Sequence, residues 1–314
     1  MFNLIWPLIL AVSAPPPAPS PSPSPGLPES PAHFRLVPVG RDVYAAVARA
    51  GDRDAGGNAG FVVGDDSVLV VDTFIAAPAA EELLAEIRKR TPLPVRWAVN
   101  THYHLDHLGG NAVLARAGAA IVAHENVRAW TRTENLKFRP NQKEAIESLT
   151  LPNVTYREGL TVWLGSRRVD ILFRAGHTGG DSIVSVPDAG VVFAGDLFWN
   201  ATLPNLIDAD TAAWVKTLDR FLEEFPAAAF VAGHGEPGHA LNVRFFRDYL
   251  FGLRQNVEHA IGEGKSGQAL VDSVLPLVKA RYGAWSWFDQ FAVKNIEQTE
   301  QEFRGTKKRP QAQP

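Results

Sequence analysis

The chain of 314 residues has no cysteine, which excludes disulfides, thiolate metal ligands and a cysteine nucleophile. Any metal it holds must be bound through nitrogen and oxygen. Net charge is also scarce, at -3 with histidine neutral, so there is no general basic surface for nucleic acid or an anionic membrane. Long apolar runs are missing as well. The stretch Leu4 to Val12 is too short to span a bilayer as a helix, and no integral membrane span is expected in the mature chain. What remains is ordinary for a globular protein: 46% apolar and 21% charged residues, in a length that fits one large domain or two small ones.

Residues 1–14 are expected to be a signal peptide. Small residues follow the apolar run, with Ala11-Val12-Ser13 or Val12-Ser13-Ala14 as the cleavage signal, although no Lys or Arg precedes it. The expected location is therefore periplasmic or secreted. Residues 15–32 form a Pro/Ser-rich linker that samples extended polyproline conformations and cannot build a core. Residues 33–240 have globular texture. Residues 241–305 read as a helical extension, and 306–314 as a disordered, solvated tail.

Within the globular part, alternating and continuous apolar runs predict strands at Leu36–Val39, Val43–Val47, Gly60–Gly64, Ser67–Asp72, Val95–Asn100 and Ala119–Ala123. In the second half they predict strands at Leu160–Leu164, Val169–Phe173, Ser182–Val186, Val191–Ala194 and Ala229–Ala232. Helical spacing covers Pro78–Arg90, Asn111–Ala117 and Thr211–Glu224. Many strands in two similar halves suggest two sheets packed face to face with helices outside. The apolar segment around Val274–Val278, Trp285, Trp287 and Phe288 suits either a cover for that sandwich or a dimer face.

The chemistry concentrates in His102-Tyr103-His104-Leu105-Asp106-His107, three imidazoles and a carboxylate within six residues. Imidazole and carboxylate together suit zinc and similar divalent ions. If extended, the stretch puts His102, His104 and Asp106 on one face and His107 on the other. That arrangement suggests two metals rather than one. Four later or earlier residues sit at predicted strand ends, three of them beside glycine: Asp72, His177, Asp196 and His234.

This ordered set resembles the metallo-β-lactamase superfamily from about His33 to His239, and in its helical tail it resembles uncharacterised exported members. The resemblance implies an α/β fold, a four-layer αββα sandwich with the metals at one edge between the sheets. It implies that His102, His104 and His177 bind a first ion, that Asp106, His107 and His234 bind a second, and that Asp196 bridges them. Asp72 is implied to position the motif without ligating. The cofactor expected is two divalent ions, zinc first, with iron or manganese as alternatives. Two such ions about 3.5–4 Å apart lower the pKa of a bridging water enough to supply hydroxide near neutral pH. That hydroxide would attack the carbonyl of an ester, thioester, lactone or amide in a small-molecule substrate. Asp106 and Asp196 are the candidates to hold the nucleophile and shuttle a proton.

Two other activities fit the same resemblance. One is β-lactam hydrolysis, disfavoured because no Lys or Arg is spaced to mark an antibiotic carboxylate site. The other is iron-dependent redox chemistry on persulfide or oxygen. A metal-binding protein without catalysis is a third reading, and the complete ligand set argues against it. The remaining histidines, His33, His124, His239 and His259, read as structural. Phe198, Trp199 and Trp214 read as core at least as well as substrate pocket, and Glu125–Lys143 as a solvated surface segment.

Overall fold

A computed structural model describes residues 31–310. The expected signal peptide, nearly all of the Pro/Ser linker and residues 311–314 of the expected tail lie outside the described residues.

Short, largely buried apolar runs build the first sheet. Strands β1 (Phe34–Gly40), β2 (Val43–Ala48), β3 (Ala59–Val63) and β4 (Val68–Val71) pair antiparallel in sequence order. Helix α1 (Ala77–Arg90) then carries the chain to β5 (Val95–Val99), parallel to β4. The short helices α2 (Leu105–Leu108) and α3 (Asn111–Arg116) lead to β6 (Ala120–His124). Helices α4 (Glu125–Trp130) and α5 (Lys143–Glu147) lead to β7 (Val154–Tyr156), which closes the seven-stranded sheet and had no clear sequence signal. All four residues of β4 are buried. Val68 and Val70 join the layer under Leu83 and Ile87 of α1, and Leu69 and Val71 face the other sheet. A strand covered on both faces reads as a continuous apolar run rather than an alternating one.

The second sheet holds β8 (Gly159–Leu164), β9 (Arg167–Phe173), β10 (Ser182–Val186), β11 (Val191–Trp199) and, after α6 (Thr211–Glu224), β12 (Ala229–His234), in the order β12-β11-β10-β9-β8. Only the β11–β12 pair is parallel. Val43, Ala45 and Val62 of one sheet meet Val184, Val191 and Val231 of the other in a shared apolar layer. With helices outside both sheets this is the expected αββα sandwich.

The extension is helical as expected: α7 (Ala240–Gly262), α8 (Gly267–Tyr282) and α9 (Phe288–Phe303). Its apolar residues cover the second sheet: Phe246, Leu253, Val274, Val278 and Ile296 pack in one cluster with Trp214, Phe198 and Phe230.

The chain after α9 departs from the expected solvated tail over the residues described. Lys307 lies with its side chain 3% exposed, its Nζ donating to Ala209 O at 2.7 Å and 3.5 Å from Glu302, and Arg309 pairs with Asp210 at 2.7 Å. Lys307 thus meets a carboxylate near the end of α9 and Arg309 one at the start of α6, so the segment docks. Burial lowers the Lys307 pKa from 10.5 to about 8, with Glu302 opposing. Between pH 8 and 10.5 the unfolded chain therefore binds more protons at this residue than the folded one, and stability contributed here rises with pH across that window. From pH 7.5 to 10.5 the unfolding free energy should gain up to about 3 kcal/mol more in the unmodified chain than in Lys307→Met. Denaturant titrations at the two pH values test this, and an equal or smaller gain would reject it.

Candidate metal centre

The C-terminal ends of β4 and β5 in one sheet meet those of β11 and β12 in the other, and the residues singled out in the sequence gather there. Asn58 ties the two edges: its N–H donates to Gly233 O at 2.7 Å, and its Nδ2 to Ala232 O at 2.9 Å and Gly235 O at 2.8 Å. Ligand atoms of His102, His104, His177 and Asp196 lie within 4.8 Å of one another, as do those of Asp106, His107 and His234.

Asp196 stands between the two groups. Its Oδ2 is 3.2 Å from His177 Nε2 and 3.6 Å from His102 Nε2, while its Oδ1 is 3.1 Å from His107 Nε2 and 3.4 Å from His234 Nε2. Asp106 Oδ2 faces His234 Nε2 at 3.4 Å and His107 Nε2 at 3.7 Å. Two details differ from the sequence expectation. Asp196 does not follow its strand but lies inside β11, which runs on to Trp199 through irregular pairing with β12. The motif is not extended throughout either. After His104 the chain turns helical in α2, so Asp106 leaves the face of His102 and His104 and joins His107 instead.

Small residues make room. Gly195 has φ +51, and a Cβ there would lie 2.5 Å from Thr101 Oγ1; a Cβ on Gly233 would lie 2.0 Å from Asp196 Oδ1. Only glycine takes that backbone at Gly195 without strain, and only glycine leaves space for the bridging carboxylate at Gly233.

Outer partners fix which ring nitrogen faces inward. Asp72 Oδ1 accepts from Thr101 N at 2.7 Å, and its Oδ2 accepts from Thr101 Oγ1 at 2.8 Å and from His107 Nδ1 at 2.9 Å. With its proton committed to Asp72, Thr101 Oγ1 accepts from His102 Nδ1 at 3.1 Å. His104 turns the other way, offering Nδ1 to the cluster and Nε2 to Asp208 at 3.2 Å. In His107, His102 and His104 an outer partner thus holds one ring nitrogen and leaves the other turned toward the cluster.

Sequence reasoning missed Asp208. It sits in the loop before α6 without a motif. Its buried carboxylate also accepts from Tyr103 Oη and, at 2.5 Å, from Lys137 Nζ. Lys137 belongs to the segment expected to be a solvated surface. That segment instead holds buried Trp130 and Asn135, donates Asn135 Nδ2 to Tyr103 O at 2.7 Å, and lays Phe138 5.1 Å from the His104 ring. Its many polar residues concealed these inward ones. Trp199 is buried with its ring 4.1 Å from that of His234 and its Nε1 donating to Asp196 O at 2.9 Å. Trp214 and Phe198 are core. The four remaining histidines are structural: His33 pairs with Asp52, His124 caps α4, His239 caps α7, and His259 is exposed beside Glu263.

Electrostatics separate the two halves. Burial pushes His102 well below its ordinary pKa and lowers His104, which keeps both neutral. Burial acts the same way on His107 and His234, but the carboxylates outweigh it: Asp196, Asp106 and Asp72 hold His107 well above its usual value, and Asp196 and Asp106 raise His234 to about 9. Burial opposes the charge on Asp196, yet His234, His107, His102 and His177 hold it well below the usual carboxylate range. A cation entering beside His107 and His234 must displace their protons.

The residues fit metal ions. His102 Nε2, His107 Nε2 and Asp196 Oδ1 are buried with no hydrogen-bond partner among the described residues, a costly state that a cation relieves. The donors are imidazole nitrogen and carboxylate oxygen, the set expected for zinc-like ions in a chain without thiols.

Comparison with known proteins agrees. The family profile described as the metallo-beta-lactamase superfamily matches residues 52–234. A metallo-beta-lactamase type 2 from Bacteroides fragilis is 27% identical over 186 residues, covering 58% of this chain and 70% of that protein. A hydroxyacylglutathione hydrolase from Mesorhizobium japonicum is 28% identical over 164 residues, covering 51% of this chain and 56% of that protein, so the chain spans little more than half of its length. A solved structure, a metallo-beta-lactamase from Pontibacter korlensis, superposes with a TM-score of 0.58 at 24% identity over 69% of this chain and 99% of that one. That last likeness is one of fold.

Proposed function

The chain belongs to the metallo-β-lactamase superfamily and is a metal-dependent hydrolase, and from that premise we propose that it uses two divalent ions, zinc first, to hydrolyse an ester, thioester, lactone or amide of a small molecule. The observation that carries this reading is the division of Asp196, one carboxylate oxygen toward His102 and His177 and the other toward His107 and His234. In it His102, His104 and His177 would hold one ion and Asp106, His107 and His234 the other, with Asp196 placed to serve both.

Bound divalent ions supply acidified water and a Lewis acid for the carbonyl oxygen. The chain's own residues do the rest. Asp106 is 28% exposed at its side chain where Asp196 is 2% exposed, so Asp106 is the carboxylate that can exchange protons with substrate and solvent. It takes a proton from the attacking water and returns it to the leaving group. Asp72, Thr101 and Asp208 orient His107, His102 and His104, and Lys137 balances the charge of Asp208. Export to the periplasm or the medium belongs to the same reading and rests on the apolar run Leu4 to Val12.

Initial rates of the zinc-loaded protein against a β-lactam, a lactone, a thioester and a phosphodiester test the proposal, with Asp106→Asn as control. Turnover of a carbonyl substrate that falls at least about a hundredfold in the variant is the expected result, the scale of a lost proton-transfer group. If two ions stay bound while every substrate in the panel is inert, carbonyl hydrolysis fails, and iron content with redox assays becomes the next measurement.

A further inference from the structure

The extension beyond the family-matched residues sends one side chain back to the metal centre. Trp287 lies in the connection between α8 and α9, with its ring 5.0 Å from that of His234 and 5.5 Å from that of Trp199. Phe291, one turn into α9, supports it from 5.9 Å. Two backbone hydrogen bonds hook this connection to the loop after β11: Ser286 N donates to Ala201 O at 3.0 Å, and Leu203 N to Ser286 O at 2.9 Å. Both sides of the hook are strained, with φ +50 at Ala201 and φ +62 at Trp287 itself. A bulky residue in the left-handed region costs free energy and persists only where its surroundings impose it.

Trp199 and Trp287 differ in one decisive respect. Trp199 is buried and has its Nε1 engaged, whereas Trp287 is 41% exposed beside a buried histidine of the cluster. The extension thus holds an open indole face at the rim of the His234 half. An aromatic face next to a reactive centre is suited to bury an apolar group and offers little to a charged anion.

We propose that Trp287 is the substrate platform of this enzyme and selects substrates carrying an apolar ring or chain beside the scissile bond, an inference that rests on the metal-dependent hydrolase reading above. It makes the helical extension part of the substrate site rather than only a cover for the second sheet.

The test reads binding, not turnover. The full chain is loaded with cobalt(II) and titrated with phenylmethanethiol and with ethanethiol, and thiolate binding is followed by its charge-transfer band. Phenylmethanethiol should bind at least about tenfold more tightly than ethanethiol, the scale of one added aromatic contact with its buried area. In Trp287→Ala the two thiols should bind within about twofold of each other by the same reasoning. Trp287→Gln, which keeps part of the bulk without the aromatic face, should behave likewise and decides the matter if the alanine variant does not load cobalt. Equal binding of both thiols by the unmodified chain, or an unchanged preference in the variants, overturns the platform while leaving the metal centre intact. A chain that takes up no cobalt overturns the metal reading and the platform together.

Discussion

On the proposed two-ion reading, Asp196→Ala should strip metal from both halves of the centre, taking the content from two ions per chain to fewer than one and the hydrolytic rate down by a thousandfold or more, about 4 kcal/mol of transition-state stabilisation. The size of the effect follows from geometry. Asp196 is the carboxylate whose two oxygens divide between the histidine groups. Its removal leaves the inward nitrogens of His102, His177, His107 and His234 facing one another without the shared anion, where they now lie 3.1 to 3.6 Å from its oxygens. Neighbouring cations in a buried site then repel with nothing to offset them. Asp196→Asn, which keeps shape and one good acceptor, should fall between the two. Elemental analysis after dialysis against a weak chelator reads the first effect and initial rates the second. Two ions retained by the alanine variant would show that the carboxylate is not what joins the halves.

Asp72→Ala should injure the protein even before metal is added. This carboxylate touches none of the inward-facing ligand atoms, yet three donors converge on it from Thr101 N, Thr101 Oγ1 and His107 Nδ1. Burial pushes its pKa up, while His107 and the Thr101 bonds oppose the rise. It also sits at φ 57 directly after β4, a backbone conformation that Asp tolerates better than most residues because its short polar side chain can bond locally. Alanine leaves those donors buried and unpaired, at a cost of about 3–5 kcal/mol for breaking a buried ionic network. It also frees the His107 ring to turn, which should weaken metal binding by about 10–100-fold. Urea unfolding of the metal-free protein and competition with a chelator separate these two losses. Unchanged metal-free stability would mean that Asp72 does not hold the motif in place.

The strands and helices that were legible in the sequence share a property: their apolar periods are local. Ser182–Val186 and Thr211–Glu224 emerge with the bounds expected of them, because continuous burial of a strand and a helix with a capping Asp210 both write themselves into adjacent residues. Errors fall where pairing or burial depends on distant chain. β7 is only three residues long and forms by pairing with β6. β11 outruns its apolar core because β12 lies parallel beside it up to His234. The short α2 turn overrode an alternation that would have placed Asp106 with the wrong histidines.

The same division runs through the site. Residue type and order marked the His102–His107 motif outright, and the resemblance they carry to a known family pointed to Asp72, His177, Asp196 and His234 as the side chains that gather with it. Tertiary structure decided how they are held and what surrounds them. Asp208 meets Tyr103 across 105 positions and Lys137 across 71, and Asp72 meets His107 across 35. Trp287 reaches His234 only because the extension folds back on the second sheet. A metal ligand is announced by its own chemistry, whereas a partner that orients it, or a ring that covers it, is an ordinary Asp, Lys or Trp until the packing of the two sheets and the outer helices brings it there.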